Sequence, residues 1–85
     1  MNTKQRKTLE AIFKKPVPAS LPWDDIEGLF AALSAEIQQR EGSRIVVALN
    51  DASAVFHVPH PRRIAAQGRI RDVRKFLEKA GVQGP

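Results

Sequence analysis

The amino-acid sequence predicts an α+β domain in which a three-stranded antiparallel sheet carries helices on one face. Apolar residues recur at three- and four-residue spacing up to Leu33 and again from Ile70, as is typical of amphipathic helices. Between these segments the spacing changes to two, as expected for strands with one buried face. Polar residues divide the alternating segment at 41–43 and 50–53. The expected order of elements is therefore α-α-β-β-β-α.

The first predicted helix runs from a Thr3 cap to about Phe13. It ends before Pro16, because the residue that precedes a proline is disfavoured in the α region. Residues 16–21 contain two prolines and are expected to form an extended connector. The apolar residues that would pack this helix across the domain are Leu9, Ile12 and Phe13.

The second predicted helix begins at Pro22, where the missing N–H of proline costs nothing. The acidic residues Asp24, Asp25 and Glu27 follow near the positive end of its dipole. Trp23 is in register with the apolar stripe, so we interpret it as a core residue rather than one that stacks on a base. The stripe consists of Trp23, Ile26, Leu29, Phe30 and Leu33.

The last predicted helix spans about residues 68–80, and Gly81 is a natural stop. Residues 62–67 before it are expected to form a basic loop or a helical lead-in. The predicted core positions are Ile70, Val73, Leu77 and Ala80, with Phe76 at their border. The basic residues left for the solvent side are Arg71, Arg74, Lys75 and Lys79.

The alternating segment predicts a modest strand over 35–40 and a hairpin within residues 42–60. If the hairpin closes through a two- or four-residue loop, the expected pairs are Leu49 with Ala54, Val47 with Phe56, and Val46 with His57. A three-residue loop would change this registration. Arg44 and His57 then share the open face as diagonal neighbours about 7 Å apart. The core face would consist of Ile45, Val47, Leu49, Phe56 and Val58.

Composition bounds the possible functions. Eighty-five residues suit one domain, and 42% apolar residues argue against wholesale disorder. Without cysteine, a disulfide framework and a cysteine-based zinc site are excluded. No apolar run approaches the roughly 18 residues of a membrane span. Because the N-terminus shows no signal-peptide pattern, we expect a cytoplasmic protein with no membrane association.

The net charge of +5 is segregated along the chain. Residues 1–20 carry a balance of +4, residues 21–61 carry −4, and residues 62–85 carry +5. Two basic ends that flank an acidic middle can form an electrostatic footprint for phosphates. The same pattern also fits solvated helix faces, or basic ends that serve an acidic protein partner.

Several short motifs resemble those of HicA-type toxins. They are Gly42-Ser43, Val58-Pro59-His60, Gly68-Arg69-Ile70 and the helix end Leu77-Glu78-Lys79-Ala80-Gly81. The resemblance covers residues 22–82 of a single domain, 1–85, and leaves out a helix and Pro-rich connector over 1–21. It implies a double-stranded-RNA-binding-domain-like fold and a bacterial ribonuclease (mRNA interferase) that a HicB-type antitoxin holds inactive.

The chain departs from this family pattern at three positions. Arg44 follows Gly-Ser where the family has its catalytic histidine. The spacing between Val58-Pro59 and His60 is one residue shorter than usual, and Arg69 replaces a threonine. These departures bear on catalysis more than on the fold.

Histidine and arginine suit metal-independent RNA cleavage. This reaction needs a base for the 2′-hydroxyl, an acid for the leaving 5′-oxygen and positive charge near the phosphorane; histidine suits the first two roles. We hypothesise that His57 replaces the missing histidine, that Arg44 clamps the phosphate, and that His60 is a second acid/base or a positioning residue. No cofactor is expected, and His57 with His60 is an incomplete metal-ligand set. The predicted RNA-binding residues are Arg44, Arg62, Arg63, Arg69, Arg71, Arg74 and Lys75.

A second hypothesis is a non-catalytic RNA- or DNA-binding module that has lost the nuclease histidine. His57 would then be structural and Arg44 a solvated strand charge. The basic face of the last helix would still contact RNA phosphates, which proteins recognise by shape rather than sequence.

Overall fold

Three helices and five strands make up residues 1–84, the part of the chain that the computed structural model describes. The predicted α+β class and the order of the longer elements are confirmed. No helix within residues 1–84 is both long and apolar enough to cross a membrane. The elements are α1 (Thr3–Phe13), β1 (Ser20–Pro22), α2 (Trp23–Ala32), β2 (Glu36–Gln39), β3 (Arg44–Leu49), β4 (Ala52–His57), β5 (Ile64–Ala66) and α3 (Gln67–Lys79).

Helix α1 begins at Thr3, the residue that was predicted as its cap. Asn2, not Thr3, is the N-cap residue, and its Oδ1 accepts a hydrogen bond from the Gln5 amide at 2.8 Å. The Gln5 side chain accepts one from the Asn2 amide at 2.9 Å, which completes a capping box. The prediction that Thr3 is the N-cap was wrong. A capping box needs a Gln or Glu three residues after the cap, and Gln5 has this spacing from Asn2 rather than from Thr3.

Strands β1 and β5 form a two-stranded antiparallel sheet that the sequence analysis did not anticipate. Leu21 pairs with Ala65, so the expected connector and the expected loop or lead-in lie side by side. Each strand has only three residues, too few to show a clear alternation. Because the pairing is antiparallel, α2 starts beside Ile64 and α3 starts beside Ser20, at opposite ends of this sheet.

Strands β2, β3 and β4 form the predicted three-stranded antiparallel sheet, with β3 in the centre. The predicted hairpin register is wrong by two residues, because Leu49 pairs with Ala52 rather than with Ala54. Asn50 adopts a φ of 54°, and this left-handed conformation allows a two-residue turn. The residues still lie on their predicted faces, since a shift of two preserves the side-chain alternation.

The buried face of the sheet packs against α2 and α3. Phe56 of β4 lies 5.9 Å, centroid to centroid, from both Phe30 of α2 and Phe76 of α3, so both helices lie on one face of the sheet. Phe76 is therefore part of the core rather than its border. Trp23 is fully buried and packs against Phe56, which confirms its core role. Helix α1 adds Leu9 and Ile12 to the same core.

Candidate functional site

Arg44 and His57 are direct cross-strand partners at the open end of the β3–β4 hairpin. The Val58 amide donates to the Ser43 carbonyl at 2.6 Å, so the Arg44–His57 pair lies between two ladder bonds. Side chains approach most closely at such non-hydrogen-bonded pairs, where the Cα atoms lie about 4.5 Å apart. The shared face is thus confirmed, whereas the diagonal placement is wrong. Both residues are exposed.

The Arg44 guanidinium is held loosely by its own turn. Its Nε donates to the Glu41 carbonyl at 3.2 Å, and the Arg44 carbonyl accepts from the Arg40 amide at 2.9 Å. No carboxylate within residues 1–84 forms an ion pair with Arg44. Its positive charge therefore has no protein counter-ion in that part of the chain, and the guanidinium retains donors for an anion.

A surface cleft of about 590 Å³ opens beside His57, and this volume lies within the roughly 300–1,000 Å³ of typical ligand sites. It is formed by the end of β4, the loop over residues 58–63, β5 and the start of α3. Four predicted site residues meet there, namely two histidines and two arginines. The lining residues are His57, Val58, Pro59, His60, Pro61, Arg62, Ile64 and Arg69.

Arg69 joins the cleft from the first turn of α3. Its Nη1 donates to the backbone carbonyl of His57, at the free edge of β4. This bond ties the strand end that carries His57 to the helix. Arg69, predicted as an RNA contact, therefore also holds the position of a candidate acid/base residue.

Arg63 lies outside the cleft. Its Nε and Nη2 donate to Asp24 Oδ1 at 2.8 and 2.7 Å, and Nη2 lies 3.7 Å from Glu27 Oε1. The hydrogen bond that Arg63 donates to Asp24 raises the pKa of Arg63, and the negative charges of both carboxylates add to this effect. Arg63 was predicted as an RNA-binding residue, and its donors are directed to α2 instead.

Apart from Arg69, the basic residues of α3 do not line the cleft. Each residue advances about 100° around a helix, so Arg71 lies about 200° from Arg69. Lys75 lines a separate groove between β4 and α3, together with Ser53 and Asp72. Neither Arg71 nor Arg74 lines the cleft. The predicted RNA-binding set is therefore split over at least three parts of the surface.

Ile64 is a cleft residue that the sequence analysis did not single out. Its side chain is 46% exposed, which is unusual for a large apolar residue, whereas the next residue, Ala65, is fully buried. Three residues are too few for such an alternation to predict a strand, and Ile64 lies within the segment that was expected to be a basic loop or a helical lead-in. Ile64 contributes an exposed apolar side chain to the lining of the cleft.

The cleft combines groups that donate protons with groups that hold anions. An imidazole transfers protons at either nitrogen, and a guanidinium binds phosphate oxygens through two parallel N–H groups. Within residues 1–84, no three histidine or acidic side chains cluster as metal ligands do. The arrangement is suited to binding a phosphodiester and transferring protons beside it.

The chain was compared with protein-family models, with curated proteins and with solved structures. None of the three comparisons gave a match. The resemblance to HicA-type toxins therefore stays a prediction that depends on the motifs quoted above.

Proposed function

We propose that the protein is a metal-independent endoribonuclease, the toxin of a type II toxin–antitoxin pair. One observation carries this proposal: a single cleft is lined by two histidines and two arginines, which are His57, His60, Arg62 and Arg69. Arg44 lies on the adjacent strand, directly opposite His57. Paired imidazoles beside guanidinium groups are the chemistry that phosphodiester cleavage requires.

His57 and His60 share the proton transfers in this mechanism. One imidazole removes the proton of the ribose 2′-hydroxyl, whose oxygen attacks the adjacent phosphorus. The bond from phosphorus to the 5′-oxygen breaks, and the second imidazole, in its protonated form, gives that oxygen a proton. The products are a 2′,3′-cyclic phosphate and a free 5′-hydroxyl. Arg44 and Arg62 stabilise the extra negative charge on the phosphorane.

The biological setting follows from the resemblance to HicA-type toxins. The protein would act on mRNA in the bacterial cytoplasm, inhibit translation and arrest growth, and be neutralised by a HicB-type antitoxin. The strongly basic composition is consistent with both an RNA substrate and an acidic protein partner. The double-stranded-RNA-binding-domain-like fold belongs to the same proposal, and the α+β arrangement is compatible with it.

A specific feature favours a non-catalytic RNA- or DNA-binding module as the second candidate. Arg44 occupies the position where the family has its catalytic histidine, and an arginine remains protonated and therefore cannot act as a base. In a binding module the same cleft would hold a phosphate without cutting the chain.

The first prediction separates the two candidates. Purified protein is incubated with single-stranded RNA in EDTA, and the products are resolved by electrophoresis. Wild-type protein should cut the RNA, and His57→Ala should slow cleavage by about 10²–10⁴-fold, the usual contribution of a general acid or base. RNA with a 2′-deoxy sugar at the cut position should resist cleavage, because the attacking oxygen is missing.

Ser53→Ala is the matched control, since Ser53 is exposed on the same strand and face as His57 but lies near the hairpin turn. It should cut RNA at the wild-type rate. If His57→Ala also cuts at that rate, His57 is not catalytic. If the wild-type protein only shifts the mobility of intact RNA, the binding module is correct.

A further inference from the structure

Helix α2 lacks a side-chain N-cap. Pro22 occupies the cap position and makes no side-chain hydrogen bond to the helix. The first amide of the helix, that of Trp23, instead donates to the Arg63 carbonyl at 2.9 Å. A residue 40 positions later in the sequence thus satisfies an N–H group that helix geometry leaves without a partner.

The Arg63 side chain binds the same helix end. It contacts Asp24 and Glu27 in the first turns of α2, where carboxylates also interact with the helix dipole. Glu27 in turn accepts a hydrogen bond from the Trp23 indole at 2.6 Å, and Trp23 packs against Phe56, the neighbour of His57. Both the backbone and the side chain of Arg63 are therefore attached to α2.

We infer that Arg63 is a positioning residue that fastens the cleft loop, residues 58–63, to α2 and so fixes the placement of His60 and Arg62. The loop is held at its other end by the bond from Arg69 to the His57 carbonyl. The effect on catalysis rests on the proposed function. The attachment of the loop to α2 does not depend on that function.

Arg62 provides the contrast. It lines the cleft, is exposed and makes no side-chain hydrogen bond or ion pair with any residue in 1–84. The two adjacent arginines thus have different roles. The Arg62 side chain is available to bind a phosphate in the cleft, whereas the Arg63 side chain is bound to α2. A sequence alone presents them as equivalent.

The test compares Arg63→Gln with the adjacent variant Arg62→Gln in the full chain. Hydrogen exchange is measured at the Trp23 amide and across the loop, and the affinity for a labelled single-stranded RNA is measured at several salt concentrations. Arg63→Gln should accelerate exchange at the Trp23 amide by about tenfold or more, while the salt dependence of binding stays unchanged. Arg62→Gln should leave exchange unchanged and reduce the slope of log affinity against log salt by about 0.7.

Asp24→Asn tests the attachment from the α2 side, at an exposed residue. It should accelerate exchange of the Trp23 amide as Arg63→Gln does. In Arg63→Lys the exchange rate should lie between that of Arg63→Gln and that of wild type, because lysine keeps the charge but lacks the planar fork. The cleavage rate constant kcat of Arg63→Gln should fall by about tenfold or more with KM unchanged, as expected when catalytic groups are displaced rather than removed.

Arg63→Gln overturns the inference if it lowers the salt slope as Arg62→Gln does and leaves exchange at the Trp23 amide unchanged. Unchanged exchange at the Trp23 amide in Asp24→Asn would also contradict it, because the attachment would then not depend on the ion pair between Arg63 and Asp24. If the wild-type protein does not cut RNA, the proposed nuclease fails, whereas exchange and the salt slope still decide the role of Arg63.

Discussion

At the scale of single residues, Arg44 distinguishes this cleft from a simple histidine pair. It faces His57 directly across two strands, is exposed and forms no ion pair within residues 1–84. Arg44 is thus placed to hold a phosphate beside His57 through the donors of its guanidinium.

Removal of Arg44 is predicted to affect catalysis far more than folding. Arg44→Ala should lower kcat by about 10²–10³-fold, comparable to the loss of one preorganised donor at a developing charge. Arg44→Lys should recover only part of the rate, since an ammonium cannot bind two phosphate oxygens through a planar fork. Single-turnover cleavage of a labelled RNA measures both effects.

Arg6→Ala is the control for Arg44→Ala, because it removes an exposed arginine on α1 and changes the net charge equally. It should retain the wild-type kcat. If Arg44→Ala cuts as fast as Arg6→Ala, the cross-strand arginine takes no part in the reaction.

The roles of individual residues were predictable only where local alternation determines them. A period of two was enough to place Arg44 and His57 on one open face. The attachment of Arg63 to Asp24 was not predictable, since these residues are 39 positions apart and meet only because β1 pairs with β5. Nothing in the pattern Arg62-Arg63 indicates which arginine is directed to the protein.

At the scale of elements, the β3–β4 turn decides the geometry of the site. Asn50 combines a left-handed backbone with a side-chain hydrogen bond, in which its Nδ2 donates to the Ala80 carbonyl at 2.6 Å. Ala80 is the C-cap residue of α3, so the hairpin tip satisfies a carbonyl that the helix end leaves unpaired. One asparagine therefore sets the strand register and joins the sheet to α3.

Substitution of Asn50 should separate these two contributions. Asn50→Ala loses both the side-chain bond and a residue that tolerates positive φ, and should lower the free energy of unfolding by about 1–3 kcal/mol. Asn50→Gly keeps the backbone conformation and loses only the bond, so the decrease should be about 1 kcal/mol. Urea denaturation followed by far-UV circular dichroism measures both values.

Asp51→Ala serves as the comparison, because Asp51 is the other turn residue, is exposed and makes no side-chain hydrogen bond within residues 1–84. Its effect should be within about 0.5 kcal/mol of zero. Equal losses for Asn50→Ala and Asn50→Gly would mean that the backbone conformation contributes nothing.

The long elements were predictable and the short ones were not. Eleven residues of α1 and thirteen of α3 contain several turns, over which the apolar period of 3.6 is clear. The three-residue strands β1 and β5 are determined by their partner rather than by their own sequence. The hairpin register depends on the φ of Asn50, which selects a two-residue loop. The sequence alone did not distinguish a two-residue loop from a four-residue loop.

At the scale of the whole molecule, the acidic middle of the chain binds both basic ends. Lys4 Nζ lies 3.3 Å from Asp25 Oδ1, and Arg63 pairs with Asp24 and Glu27, all in the first turns of α2. The segregated charge of the sequence thus partly neutralises itself within the fold. Of the 14 lysines and arginines, only Lys4 and Arg63 form ion pairs within residues 1–84, so twelve basic side chains remain for a polyanion.

Helix α1 belongs to the same core as the predicted 22–82 unit. Ile12 is fully buried, and α1 contacts both α2 and α3. Ile12→Ala should therefore lower the free energy of unfolding by about 2–5 kcal/mol, a large share of the roughly 5–15 kcal/mol of a typical domain. Thermal and urea denaturation of the full chain measure this loss.

Arg6→Ala in the same helix is the matched control for Ile12→Ala, and as an exposed substitution it should change stability by no more than about 0.5 kcal/mol. A stable Ile12→Ala protein would mean that the domain does not depend on α1.

The two-residue turn at Asn50-Asp51 also limits which insertions and deletions natural variants of this chain accept. A single added residue on one strand would exchange the two faces of that strand beyond it, so His57 would turn inward and Phe56 outward. Two added residues would keep the faces but separate His57 from Arg44. Descendants of this gene are therefore expected to vary the identity of exposed residues in the hairpin while they preserve its length.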